Sequence, residues 1–209
     1  MSAGSRALIP VAVLASGGGT NLQALLDALR RSSHARIARV ISNHAGAGAL
    51  ERARRAGVPT TVLRDHTDPN ELVKALGDAR LVVLAGYLKR VPADVVARFR
   101  WRLINIHPAL LPGFGGHGMY GRRVHEAVLA SGATVSGATV HYVDEEFDRG
   151  PIIAQWPVPV RSDDTPESLA VRVLEVEHRL LPHVVEELAR RGVPAEPVTV
   201  SVSNLKATE

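Results

Sequence analysis

The sequence predicts an α/β protein: a doubly wound, mostly parallel sheet with an antiparallel extension in the C-terminal half. Three observations carry this. Apolar, β-branched runs alternate with helical patterns through the first half of the chain. The first run ends in a glycine-rich turn that opens directly into a helix. In the second half, two extended runs follow one another with no helical pattern between them, as antiparallel neighbours do. At 209 residues the chain suits one packed domain, with a core over about 8–190 and a C-terminal strand and tail over 191–209.

Each element has its own reason. Leu8 to Ala15 is Val-rich, with Pro10 near its start, where a strand tolerates it. Leu22, Leu25, Leu26 and Leu29 then recur at helical spacing, and Thr20 with Gln23 three residues on reads as a capping box. Arg36 to Asn43 reads as a strand, and Ala49 to Ala56 as a helix closed by Gly57. Thr60 to Leu63 is a short strand and Asp68 to Leu76 a helix. Leu81 to Leu84 is apolar throughout, as a central strand covered on both faces must be. A helix from Pro92 to about Phe99 leads to the strand that begins at Leu103. After the Gly113 to Gly118 loop, a helix is expected from Met119 to Ala130. Thr134 to Val143 and Pro151 to Val160 form the antiparallel pair. The last long helix carries Leu169, Val173, Val176, Leu180, Val184 and Leu188 on one face. Val198 to Val202 is expected as an edge strand, with a tail beyond.

Composition narrows the function. The chain is 45% hydrophobic and 22% charged, with a formal charge of +4. Its basic residues are scattered among acids, so no nucleic-acid patch stands out, although the positive balance suits an anionic small molecule. Without cysteine there is no disulfide framework, thiolate metal site or cysteine nucleophile. No apolar run reaches membrane-spanning length and no signal-peptide layout precedes Leu8, so cytoplasm is the expected compartment. The histidines show no metal-site spacing.

In an open parallel sheet, ligands bind beyond the carboxyl ends of the strands. Four polar clusters fall there: Ser16 to Asn21, Ser42-Asn43-His44, Gly86-Tyr87 and Asn105-x-His107. The glycine loop lacks the Gly-Lys-Ser/Thr ending of a nucleotide-binding P-loop. It also lacks the third small residue of a dinucleotide fingerprint, having Leu22 there. It suits a single phosphate at a helix N-terminus. Asn105 and His107, two apart on a strand, aim an amide and an imidazole to one side. Taken alone, that pair also describes the end of a buried strand. Asp148, before Arg149-Gly150-Pro151, stands where the chain turns back to the sheet, and a carboxylate there orients and charges an imidazole. With no Gly-x-Ser-x-Gly elbow and no other enzyme nucleophile, Asn, His and Asp fit direct acyl transfer between two bound substrates.

The run Asn105-Ile106-His107-Pro108-Ala109-Leu110-Leu111-Pro112, with Asp148-x-Gly150-Pro151 downstream, resembles the folate-dependent formyltransferases. Ser16-Gly17-Gly18-Gly19-Thr20-Asn21-Leu22-Gln23, Ser42-Asn43, Gly48-x-x-Glu51-Arg52-Ala53 and Leu84-Ala85-Gly86-Tyr87 are similar to the purine-biosynthetic branch of that family. The resemblance implies a Rossmann-like formyltransferase fold. It implies transfer of a formyl group from 10-formyltetrahydrofolate to the amine of 5′-phosphoribosylglycinamide, without metal. It also implies roles: Asn105 and His107 stabilise the oxyanion, and Asp148 keeps His107 protonated and helps move the amine proton. Gly19, Thr20, Asn21 and Glu177 would hold the ribonucleotide. Leu88, Lys89, Arg90 and Val91, with Asn105, would hold the folate. The 87–92 segment is one residue shorter than its commonest form, and the Gly113 to Gly121 loop is longer than in some relatives, with His117 placed to help close the site. Partners implied are small molecules rather than nucleic acid or membrane, and a homodimer is left open. Two other readings stand beside this one. A formyltetrahydrofolate hydrolase or a methionyl-tRNA formyltransferase would need a further domain, which the length does not favour. A non-catalytic phosphate-binding module would leave the Asn–His–Asp set unused.

Overall fold

A computed structural model describes residues 7–205. In chain order the elements are β1 Ile9–Leu14, α1 Thr20–Leu29, β2 Ala35–Ser42, α2 Gly48–Arg55, β3 Thr60–Val62, α3 Pro69–Leu76 and β4 Leu81–Leu84. They continue with α4 Ala93–Arg98, β5 Leu103–His107, α5 Arg122–Ala130, β6 Val135–Tyr142, β7 Ile152–Pro159 and α6 Pro166–Arg190. Among the described residues the strands form one sheet in the order β3-β2-β1-β4-β5-β6-β7. Strands β1 to β5 run parallel, and β6 and β7 add as antiparallel neighbours. The strand order reverses at β1 and β4, which makes their carboxyl ends the natural ligand crevice.

Both faces of the sheet are covered, and the sequence explains how. Leu81, Val82, Val83 and Leu84 are all buried, alternate residues going to opposite cores. On one face Val11, Val13, Leu81 and Val83 meet α1, α2 and α6; on the other Ala12, Leu14, Val82 and Leu84 meet α3 and α4. The predicted stripe of α6, Leu169 to Leu188, is buried along its whole length. Burying such side chains contributes about 1.5–3 kcal/mol each before entropy is counted, so α6 anchors the antiparallel half to the parallel one.

Three expectations are corrected. The Thr20–Gln23 capping box does not form. Gly19 takes the N-cap position of α1 with φ 74°, and no side chain caps the helix. A side chain at Gly19 would put its Cβ 2.7 Å from Ala49 Cα, so the loop can pass against α2 only as glycine. Helix α5 begins at Arg122 rather than Met119, because Gly121 stands immediately before it with φ 56°. Val198 to Val202 forms no strand, although Val200 N donates to Ile153 O at 2.9 Å. The end of the expected tail, residues 206–209, lies outside the described residues.

Candidate active site

The loops beyond β1, β2 and β4 interlock through one serine. Ser16 N donates to Gly86 O at 3.0 Å, its hydroxyl donates to Asn43 Oδ1 at 2.6 Å, and Leu88 N donates to the same hydroxyl at 3.0 Å. Three of the four polar clusters are thereby fixed to one another. The fourth, Asn105 and His107, ends β5 next door, paired through β4 to the same edge. Strand β6 then lays His141 opposite Asn105 and Thr139 opposite His107. Thr139 holds the turn that follows β5: its hydroxyl donates to Ala109 O at 2.7 Å and accepts from Leu111 N at 3.1 Å.

Asp148 returns to this point from the β6–β7 connection. Its Oδ2 lies 3.5 Å from His107 Nδ1, and its Oδ1 lies 3.5 Å from both the Asn105 amide and His141 Nε2. The backbone is held in the left-handed region, φ 57°, a conformation Asp tolerates better than most residues. Gly116 N donates to Oδ2 at 3.0 Å. Gly150 is what lets the turn come this close: a Cβ there would stand 1.9 Å from Tyr142 O.

Protonation follows from the partners. His107 Nε2 lies 2.9 Å from Phe114 O, and a carbonyl only accepts, so Nε2 carries a proton and Nδ1 is the nitrogen that faces Asp148. Burial is the largest influence on His107 and holds its pKa below the ordinary value, although Asp148 and the Phe114 contact pull upward. The expectation that Asp148 keeps the imidazole charged is favoured by the carboxylate beside Nδ1 and opposed by that burial. Burial pushes Asp148 upward, but His141, His107 and the Gly116 N–H together outweigh it and leave the carboxyl below its ordinary range. Asp148 is the standing anion and His107 the member that changes charge. His141 Nδ1 donates to Tyr142 O at 2.8 Å, and its Nε2 lies 3.1 Å from the Asn105 amide and 3.5 Å from Asp148 Oδ1. Nothing in the sequence around His141 singles it out for the site. The only signal that could find it is the β5–β6 register, which a sequence does not contain.

At the far side of the same crevice, Asn21 Nδ2 donates to Glu177 Oε2 at 2.6 Å, both residues being buried. Asn21 Oδ1 has no partner among the described residues. Burial raises the Glu177 carboxyl to about 7, against the downward pull of the Asn21 amide. A carboxyl whose folded pKa is raised stabilises the fold fully below its unfolded value of 4.5, and that contribution is lost as pH rises through about 7. The loss is on the order of 3 kcal/mol. Glu177→Gln should therefore melt near the wild type at pH 5 and above it at pH 8. Parallel pH profiles for the two proteins, followed by calorimetry, would refute the buried-acid assignment.

These residues line one cavity of about 790 Å³. Its wall holds Asn105, His107 and Asp148 together with Asn21, Glu177, Leu88, Lys89, Arg90 and Val91. Gly19 and Thr20 do not line it: Gly19 packs on Ala49 and Thr20 is exposed as the first residue of α1. Arg90 is turned aside, donating to Glu145 O at 2.8 Å with its guanidinium 5.9 Å from the Phe147 ring centre. His117 meets Phe147 edge-on at 5.6 Å, so the Gly113 to Gly121 loop and the acidic turn touch across the cavity mouth. Among the described residues no group of three or more His, Asp or Glu side chains is arranged to hold a metal ion. No described helix is long and apolar enough to cross a membrane.

An amide, an imidazole and a carboxylate thus stand together at the floor of this sheet crevice. The formyl transferase family model matches residues 9–185, and the chain belongs to that family. It is similar to the chloroplastic phosphoribosylglycinamide formyltransferases of Vigna unguiculata, at 42% identity, and Arabidopsis thaliana, at 45%. Each match covers 88% of this chain, but only 62% and 66% of those relatives' own lengths. Among solved structures it is similar to phosphoribosylglycinamide formyltransferase from Anaplasma phagocytophilum, with a TM-score of 0.81 and 40% identity over 88% of this chain and 89% of that one.

Proposed function

We propose that the chain transfers the formyl group of 10-formyltetrahydrofolate to the glycine amine of 5′-phosphoribosylglycinamide, a step of purine biosynthesis. The observation that carries this reading is the meeting of Asn105, His107 and Asp148 on one cavity wall between two unlike ends. The Asn21–Glu177 end, beside the N-terminus of α1, suits a phosphorylated ribose; anions favour that helix end, and Glu177 can accept from hydroxyl groups. The Leu88 to Val91 end offers backbone groups on an irregular, partly apolar segment, suited to a flat heterocycle. Similarity to the relatives named as phosphoribosylglycinamide formyltransferases supports the same acceptor.

The chemistry follows from the charge states. The amine nitrogen attacks the formyl carbon, and the carbonyl π pair moves onto oxygen. Asn105 turns one amide N–H from Asp148, which it meets at only 3.5 Å, to that oxyanion, while His141 Nε2 holds the amide from 3.1 Å away. The proton released by the attacking nitrogen passes by way of Asp148 to His107 Nδ1, which faces that carboxylate. The resulting imidazolium is matched by Phe114 O at one nitrogen and Asp148 at the other. Collapse of the intermediate breaks the bond from carbon to the folate nitrogen, which takes the proton back from His107. Every proton is returned, and no covalent bond to the enzyme forms.

The test is formyl release from 10-formyltetrahydrofolate with and without phosphoribosylglycinamide. Turnover should require the acceptor and yield one formylated product for each folate consumed. Equal turnover to free formate without acceptor would point to a hydrolase instead.

A further inference from the structure

Among the described residues, three on the cavity wall bury a polar atom that has no hydrogen-bond partner: Asn21 Oδ1, Tyr87 Oη and His125 Nδ1. Asn21 already belongs to the phosphate end, and Tyr87 packs into the core on the α3–α4 face of the sheet. His125 is unaccounted for. It is only 4% exposed, and a buried ring nitrogen without a partner is uncommon in a native fold.

Its place in the fold says which ligand it faces. His125 lies one turn into α5, and the first residue of that helix, Arg122, pairs with Glu167 in the first turn of α6. From that contact the α6 residues Pro166, Ala170, Leu174 and Glu177 line the cavity along one helical face. His125 thus belongs to the wall shared with Glu177, apart from the Leu88 to Val91 segment. It is also near the reacting centre: burial first, and then the charge of His107, holds its pKa below the ordinary value. A neutral imidazole has one donor and one acceptor nitrogen, the complement of a hydroxyl or an amide.

We infer that His125 is a binding residue for the acceptor ribonucleotide, hydrogen-bonding a hydroxyl or amide group between its phosphate and its reacting amine. This rests on the function proposed above. On that reading the folate occupies the Leu88 to Val91 end, and the acceptor spans the cavity from Asn21 to His107 past the wall that holds His125.

The test is titration calorimetry of wild type and His125→Leu with phosphoribosylglycinamide and, separately, with a non-reactive folate analogue. The variant should bind the acceptor about five- to tenfold more weakly, as for one neutral hydrogen bond. It should bind the folate analogue within about twofold of wild type by the same measure. Its melting temperature should not fall, because the nitrogen it removes has no partner in the fold. His125→Gln, which restores a donor and an acceptor, should recover most of the acceptor affinity, and it decides the matter if the Leu variant does not fold. Unchanged acceptor affinity, or equal losses for both ligands with a lower melting temperature, overturns the inference and leaves His125 a packing residue. Wild-type protein that binds no phosphoribosylglycinamide overturns the proposed function and this inference with it.

Discussion

His107→Ala should lower the rate of the chemical step by about 10²- to 10⁴-fold, the usual contribution of a positioned proton carrier. The substitution removes the ring that ends β5 against Asp148, and with it the charge that develops beside the oxyanion. Affinity for either substrate should change far less than the rate, since His107 acts on groups that appear during reaction. Single-turnover measurements at saturating folate and acceptor separate the two effects. A variant that folds and turns over within a few-fold of wild type would show that the imidazole is structural. The same experiment bears on Asp148, whose carboxylate is proposed to hold the second proton of His107: Asp148→Asn should slow the step and leave the melting temperature close to wild type.

Gly150→Ala should be the most damaging methyl that can be added to the fold outside the site. Its Cβ would lie 1.9 Å from Tyr142 O and 2.8 Å from the carbonyl carbon, and these are backbone atoms that cannot rotate away. Tyr142 N is in turn bonded to Pro151 O at 2.9 Å, so relief means parting the turn from β6. A loss of about 3 kcal/mol or more is expected, or roughly 10 °C in melting temperature for a chain of this size. Because Asp148 is carried by the same turn, activity should fall further than stability alone explains. Urea denaturation with kinetics on the folded fraction measures both. A Gly150→Ala protein of wild-type stability would mean that the turn does not approach β6 as described.

What could be read from the residues was whatever local periodicity dictates. The run Leu81 to Leu84 announces a central strand because both of its faces must be apolar, and Asn105 with His107 share a face because a strand repeats every two residues. Asp148 was legible as the one acid set before a turn back to the sheet. What escaped depends on distances along no single segment. His141 enters the site through strand pairing, and His125 through the way α5 is tied to α6. The capping box at Thr20 was a sound local pattern that lost to tertiary packing: the loop's approach to Ala49 makes Gly19 the cap. Only one of the two influences on His107 was legible, for a related reason. A neighbouring carboxylate can be guessed from sequence, but the depth of burial that opposes it cannot.

The Gly113 to Gly121 loop reaches the reacting groups only through main-chain atoms, the Phe114 carbonyl on His107 and the Gly116 amide on Asp148. Every amino acid but proline supplies both of those groups. Drift in the side chains of this loop is therefore nearly invisible to the catalytic pair, whereas inserting or deleting a single residue would slide the wrong peptide under the imidazole. Over evolutionary time the loop should hold its length between its two anchor points more strictly than its spelling, and comparison of spacing, rather than identity, is the way to recognise it in distant members of the family.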